Sequence, residues 1–509
     1  MVSAPEYFLI NACSGDSGLN LTLQTQMIKQ KQLTQPETFT NKVFQTLECL
    51  AAPDFKRLIK YLNSPYFNQS STLLRLCEIF LRLLEQQQPG FDRKRVWNEL
   101  FPEEPYDDIN FRKYCSDLLK LVQGFMAQES FESDPARKNI ELLNYVVRRK
   151  VEPLANGAFR QARGEMDKST YRSLDYFKNM HSIERLYYEM MDFDVKLNVH
   201  ANIEAISDNL DLFYWIEKLK LFSSVLSQKR TGNYQYALKF NAEILQYLQH
   251  YSIEQVPELA IYYYSFLTLY EENQVGHYFN LRRLLDQFGA LMPKKESIEL
   301  YDSALHYCTG KLNKGDRKFL QEYFDLFSDG LEKGIFIING ELATWRFNNA
   351  VAAALRMGKL DWAENFIEKF KGYLPSDNRQ NTYTFNLARV YGYQHKYDKV
   401  LSLLRDVEYE DVGYNRISKV MQVIAYYELD ETDALESFIE SFRVFLYRDK
   451  KMPQQRRTLY LNLIKYVRRL TRLTSGDKVA LEKLRQEIER EKESTVNHEW
   501  LLEKIAELE

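Results

Sequence analysis

Glycine and proline are scarce, 19 and 13 in 509 residues, about half the share of an average domain. So few backbone breakers exclude a β-sandwich, a Gly-rich nucleotide fold and a long disordered chain. Cysteine is rarer still. Cys13, Cys49, Cys77, Cys115 and Cys308 never come close enough in sequence to spell a C-x-x-C or a zinc-ligand spacing. An odd, sparse set of this kind implies reduced thiols in a cytoplasmic protein. Long apolar runs are missing too: the best, Leu259 to Tyr270, covers 12 residues and includes four tyrosines, short of the ~20 a membrane helix needs. Neither sign of charge prevails, with 68 basic against 71 acidic residues and a net charge of −3. That balance excludes a globally basic nucleic-acid coat but leaves room for a local patch.

Catalytic signatures are equally thin. Gly310-Lys311 and Gly358-Lys359 lack the upstream glycine of a phosphate-binding loop, and no G-x-G-x-x-G occurs. The seven histidines form no helical metal pair, and His306 and Cys308, two apart on a helix, point to different faces. Gly15-Asp16-Ser17-Gly18 copies the nucleophile tetrapeptide of trypsin-like proteases, but no histidine precedes His181 and no strand pattern surrounds it. Glu103-Glu104 and Asp107-Asp108 sit in a Pro-bounded loop, where solvation is expected to leave their pKa values together. No enzyme, cofactor or metal site is expected.

The first 35 residues are expected to be a disordered leader. Tyr7 to Cys13 copies part of a lipoprotein signal without the preceding basic residues or a long enough apolar core. Met27 is an alternative start to Met1. From Phe39 onward, apolar residues recur every three or four positions almost without pause, which predicts helix throughout. Leu73, Leu74, Leu76, Cys77, Phe80, Leu81 and Leu84 make one such face, stopped at Gln88-Pro89-Gly90. Breaks such as Asn63-Ser64-Pro65, Phe101 to Pro105 and Ser133-Asp134-Pro135 divide residues 39–132 into about five helices, with longer ones from 136 to 200.

The second half carries a period. Seven short turns each precede an apolar residue expected to open a helix: Gly232 then Ala237, Gly276 then Leu281, Gly315 then Leu320, Gly358 then Ala363, His395 then Val400, Leu429 then Ala434, and Gly476 then Ala480. The spacing predicts a helix–turn–helix repeat of about 40 residues. Phe385, Leu387, Ala388 and Tyr391 make one face of such a pair; Val400, Leu403 and Leu404 make the returning face. A pair alone buries only one side, so pairs must stack into an all-α solenoid. The expected organisation is a leader (1–35), an N-terminal helical domain (36–132), connecting helices (133–200) and helical repeats (201–509).

The stretches Asn386-Leu387-Ala388-Arg389-Val390-Tyr391 and His395 to Val400, and Gly358-Lys359-Leu360-Asp361-Trp362-Ala363 with Ile367 and Pro375, resemble a tetratricopeptide repeat. Leu281 and Leu320 stand where that pattern wants a small residue. Tyr61 to Asn68, Leu100-Phe101-Pro102 and Ser116-Asp117-Leu118 resemble the leading region of an uncharacterised family of bacterial helical-repeat proteins. The resemblances imply architecture and no catalysis.

Two features rise above this background. From Arg443 to Lys478 there are eleven basic residues against Asp449 and Asp477. Lys465, Arg468, Arg469 and Arg472 share one helix face, with Arg456 and Arg457 upstream, a stripe suited to an acidic partner. The competing reading is a solvated helix back neutralised by Glu487, Glu489, Glu491 and Glu493. The second is aromatic content: 35 Tyr, 31 Phe and 5 Trp. Consecutive aromatics such as Tyr262-Tyr263-Tyr264, Tyr187-Tyr188 and Phe213-Tyr214-Trp215 cannot all face one core, so some are expected in repeat seams or an exposed groove.

These readings predict a non-enzymatic scaffold or adaptor that binds a protein or peptide on its concave or basic surface, an acidic partner being the one the stripe suits. The alternative is a nucleic-acid-linked regulator. In it, Arg93-Lys94-Arg95 to Pro102 and Asn110 to Leu121 form a winged-helix-like module ahead of a repeat sensor.

Overall fold

The computed structural model describes residues 40–191, 202–231, 236–405, 412–450 and 452–509. The leader, with Cys13, Gly15 to Gly18 and Met27, lies outside them, as does Gly232. Among the described residues there are 23 α-helices. They fall into two compact units, 40–214 and Trp215–Glu509.

In the first unit, α1 (Lys42–Glu48), α2 (Ala52–Asn63), α3 (Ser71–Glu85), α4 (Arg93–Leu100) and α5 (Asp108–Glu132) follow the breaks read from sequence. Side chains cap their first turns: Asn41 accepts from the Phe44 amide at 2.9 Å and Asp107 from the amides of Ile109 and Asn110, each satisfying a donor that the helix cannot. Their apolar faces meet around Phe44, Leu76, Phe80, Phe91, Trp97 and Phe111. Three further helices, α6 (Pro135–Arg149), α7 (Glu152–Met166) and α8 (Leu174–Met190), pack on one another around Leu143, Val146, Ala158 and Ile183. Asp134 and Pro135 supply the cap and first residue of α6. The division between units falls within α9 (Ile203–Thr231).

The second unit continues with α10 (Asn241–His250), α11 (Pro257–Tyr270), α12 (Val275–Phe288), α13 (Lys294–Asn313), α14 (Lys318–Glu332), α15 (Thr344–Arg356), α16 (Leu360–Phe370), α17 (Arg379–Tyr393), α18 (Tyr397–Leu404), α19 (Val412–Glu428), α20 (Thr432–Arg448), α21 (Gln454–Leu470), α22 (Lys478–Arg490) and α23 (His498–Leu508). From α11 to α21 each helix packs on the next, and the alternate pairs α11–α13, α15–α17 and α17–α19 also touch. This is an all-α solenoid, built because each hairpin leaves apolar surface that only its sequence neighbour covers. Phe385, Ala388, Val400 and Leu404 share one core with Val420, Ile424 and Leu435 of the following hairpin.

The helix-opening turns are left-handed in five places: Gly315, Gly358 and Gly476, and also His395 and Asp430, all at positive φ. Three expectations need correction. Gly276 lies inside α12, whose turn is four residues long and ends at Gln274. The helix expected at Ala237 starts at Asn241. In α20 the core residue is Leu435, while Ala434 is exposed. The chain also contains strands: Ile337–Ile338 pairs with Glu341–Leu342 through Asn339-Gly340, both at positive φ, a tight-hairpin dipeptide. This hairpin lets Phe336 fold back onto α14, where a Cβ on Gly330 would stand 2.5 Å from its ring. Of the consecutive aromatics, Tyr262, Tyr263 and Trp215 are core, Tyr187, Tyr188, Phe213 and Tyr264 are half-buried, and Tyr214 is exposed. Tyr262 and Tyr263 are both buried because α11 is covered nearly all round; Tyr262 donates to Glu296 and Tyr264 to Glu254.

Candidate functional site

Lys465, Arg468 and Arg469 project from α21 into pairs with acids of both neighbouring helices. Arg468 reaches back to α20, pairing with Glu436 at 2.8 Å and with Glu440. Arg469 reaches forward to Glu487 of α22. Lys465 meets Glu491 at 3.4 Å, and the same carboxylate accepts from the Tyr466 hydroxyl at 2.6 Å. These bonds hold the acids ionised: the Arg468 hydrogen bond draws Glu440 below the usual glutamate range, Arg469 does so for Glu487, and the Tyr466 hydroxyl for Glu491.

Arg457 has a different job. Its Nε donates to the Leu446 carbonyl and its Nη2 to that of Asp449, closing the end of α20. Arg456 and Arg472 are exposed and form no ion pair with a described residue. The basic stripe is therefore largely a clasp across three helices. Glu487 and Glu491 take the part expected of them. Glu436 and Glu440, one helical turn apart on α20, do the rest, and that i,i+4 acidic pair is the signal the sequence offers for it.

Other residues singled out by sequence are occupied structurally. Asp107 caps α5. Asp108 accepts from Tyr106 at 2.7 Å and pairs with Arg93 and Arg112, at 3.0 and 2.7 Å. The Tyr106 hydrogen bond, followed by Arg112, holds its carboxyl below the usual range, so this loop is not uniformly solvated as expected. Arg93, the first basic residue of the winged-helix-like stretch, is thereby turned toward a carboxylate of its own chain. Cys308 is buried, and burial pushes its thiol up to about 12, whereas His306 is exposed. Among the described residues no group of three or more His, Cys, Asp or Glu could hold a metal ion, and no helix is long and apolar enough to cross a membrane.

A polar seam inside the solenoid has no such signal. Arg346 of α15, four per cent exposed, forms a two-pronged pair with Asp302 of α13: Nη1–Oδ1 is 2.5 Å and Nη2–Oδ2 2.6 Å. Between α15 and α17 the Asn386 amide donates to Asn348 Oδ1 at 2.5 Å and to the Thr382 carbonyl at 2.8 Å. Arg389 completes this seam, donating from Nη1 to the Asn348 carbonyl at 3.2 Å and to Asn386 Oδ1 at 3.3 Å. It is one per cent exposed.

The chain matches no family model, no curated protein and no solved structure.

Proposed function

We propose that the chain is a non-enzymatic, tetratricopeptide-like scaffold that holds a protein partner along the wall made by alternate helices of the second unit. The observation that carries this reading is the uninterrupted neighbour-to-neighbour packing from α11 to α21. Such an array buries its length internally and leaves extended surface for docking. Two large aromatics remain on that set of helices, Tyr270 of α11 and Trp345 of α15, 45% and 43% exposed; rigid, amphipathic rings of this kind anchor interfaces. The basic stripe contributes through its two uncommitted cations, Arg456 and Arg472, because its other charges are engaged within the fold.

The test is affinity capture from native cells after cross-linking, comparing the full chain with a Tyr270→Ala/Trp345→Ala variant and an Arg456→Glu/Arg472→Glu variant. A specific protein lost from the aromatic variant supports the reading. Identical recovery by all three chains, or recovery of nothing reproducible by the wild type, removes it.

A further inference from the structure

The last helix reaches about two repeats back along the chain. Trp500 Nε1 of α23 donates to Glu428 Oε1 of α19 at 2.6 Å, across 72 positions, and Lys504 Nζ donates to Glu428 Oε2 at 3.1 Å, across 76. Bonds joining alternate helices between α12 and α17 span one repeat: 38 positions for Asn348–Asn386, 44 for Asp302–Arg346 and 47 for Arg282–Asp329. Lys220–Glu299, at the other end of the unit, is as long-range, but it joins partly exposed side chains. The Glu428 pair is buried. α23 packs on α21 and α22 and buries Trp500, Leu501, Lys504 and Ile505, while Glu499, Glu503, Ala506 and Glu507 face solvent. Tyr427 of α19 meets the Trp500 ring edge-on at 5.3 Å.

Glu428 is the last residue of α19, the negative end of the helix dipole, where a carboxylate is unfavourable by position. Its two oxygens are matched instead by an indole N–H and an ammonium group, both from α23, and a buried indole needs such an acceptor. At 11 residues, α23 is too short to be a stable helix in water by itself. It is helical because it is seated. The approach to it lies along α21, where the Asn462 side-chain amide donates to the Ser494 carbonyl at 2.9 Å and the Val496 amide to the Leu459 carbonyl at 3.2 Å. An amphipathic helix laid on neighbouring helices by an aromatic anchor, two aliphatic residues and a charged pair follows the pattern of helix-in-groove recognition. Here the ligand belongs to the same chain.

We propose that α23 is a tethered ligand, occupying in cis a site on α19 and α21 that accepts an amphipathic helix with a tryptophan and, one turn later, a lysine for Glu428. A partner helix of this pattern takes the same seat when α23 leaves it, so the last helix holds that part of the wall closed. The proposal rests on the scaffold reading, whose partner and regulation it specifies.

The experiment titrates a fluorescein-labelled synthetic peptide of residues 494–509 into the full chain and into a full-chain Trp500→Ala/Lys504→Ala variant, read by fluorescence anisotropy. The variant should bind the peptide saturably. The wild type should bind it roughly tenfold more weakly or worse, because its own helix competes at the high effective concentration of a tether. Adding Glu428→Ala to the variant should weaken binding roughly tenfold, the loss of a hydrogen-bonded charge. The proposal is overturned if the variant does not bind the peptide, or if the wild type binds it equally well. Should the variant fail to fold, hydrogen exchange of the wild type decides: α23 should exchange well ahead of α21 and α22, and equal protection of the three helices overturns the proposal. Since the probe is the chain's own helix, failure here leaves partner capture through Tyr270 and Trp345 standing.

Discussion

Two adjacent seams of the solenoid solve the same problem differently. Between α13 and α15, Arg346 is buried against Asp302, with both prongs of the guanidinium matched to both carboxylate oxygens. Between α15 and α17, Arg389 is buried more completely and, among the described residues, donates to a backbone carbonyl and an amide oxygen. Geometry is good in both, and the neighbours are similar: Phe336 lies 4.6 Å from the Arg346 guanidinium carbon and Phe385 lies 5.6 Å from that of Arg389. What differs is the counter-charge. A repeat architecture makes such a comparison possible, since equivalent helices present similar surroundings to unlike residues. It teaches that the first seam closes charge against charge, while among the described residues the second holds its guanidinium with neutral oxygens.

The largest effect is expected where closure is broken. Asp302→Ala leaves Arg346 buried and unpaired and should cost about 3–5 kcal/mol of unfolding free energy. Urea denaturation measures it, and adding Arg346→Met to Asp302→Ala should recover most of the loss. Arg389→Met should do the reverse and stabilise by about 1–3 kcal/mol, because it removes a buried charge that meets no carboxylate among the described residues. A loss comparable with that of Asp302→Ala would make the two seams equivalent and erase the contrast.

How much of this is legible from residues alone depends on the range of the interaction. Apolar spacing and short breaks locate the helices because periodicity and caps act over a single turn: Asp134-Pro135 opens α6 where expected. Glycine marks the inter-helix turns because left-handed backbone favours it, as at Gly315, Gly358 and Gly476. His395 and Asp430 adopt the same conformation without glycine, and Gly276, flexible but helical, marks no turn at all. The Asn339-Gly340 hairpin is written in the sequence as a local dipeptide, but the helical periodicity on either side of it masks so short a pair of strands. The charge pairs are not legible. Asp302 and Arg346 are 44 positions apart, and Arg389 stands among apolar neighbours of the repeat pattern, with no local mark of its burial. The basic run reads as an open stripe for the same reason: two of its partners, Glu436 and Glu440, sit on another helix.

The turn joining α15 to α16 offers a smaller test between the seams. Gly358 has φ +67° with open space where a Cβ would stand, so Gly358→Ala should cost about 1 kcal/mol through backbone strain alone. Asp430→Gly, at φ +54°, should gain a similar or smaller amount. Equal and opposite signs in thermal unfolding would show that the left-handed turn, rather than side-chain packing, sets the hairpin geometry.

The smallest effects belong to the clasp on α21, where the paired charges are half-buried or exposed and within reach of solvent. Arg469→Ala should cost roughly 0.2–1 kcal/mol, shrinking as salt is added. Its pH dependence is the sharper observation. Glu440, Glu487 and Glu491 are held below their ordinary values in the folded chain, so they bind protons more readily unfolded than folded. Their contribution is complete above the ordinary glutamate pKa and disappears as pH falls through the lowered folded values. Unfolding midpoints measured from pH 6 down to pH 3 should therefore fall less steeply in Arg469→Ala than in the wild type, since Glu487 has lost the hydrogen bond that depressed it. The seams inside the solenoid predict no such convergence for Arg389→Met: methionine replaces a group that stays protonated across that range, so its offset from wild type should remain constant with pH. Parallel curves for Arg469→Ala would mean that the clasp contributes nothing, leaving the basic stripe available for an acidic partner after all.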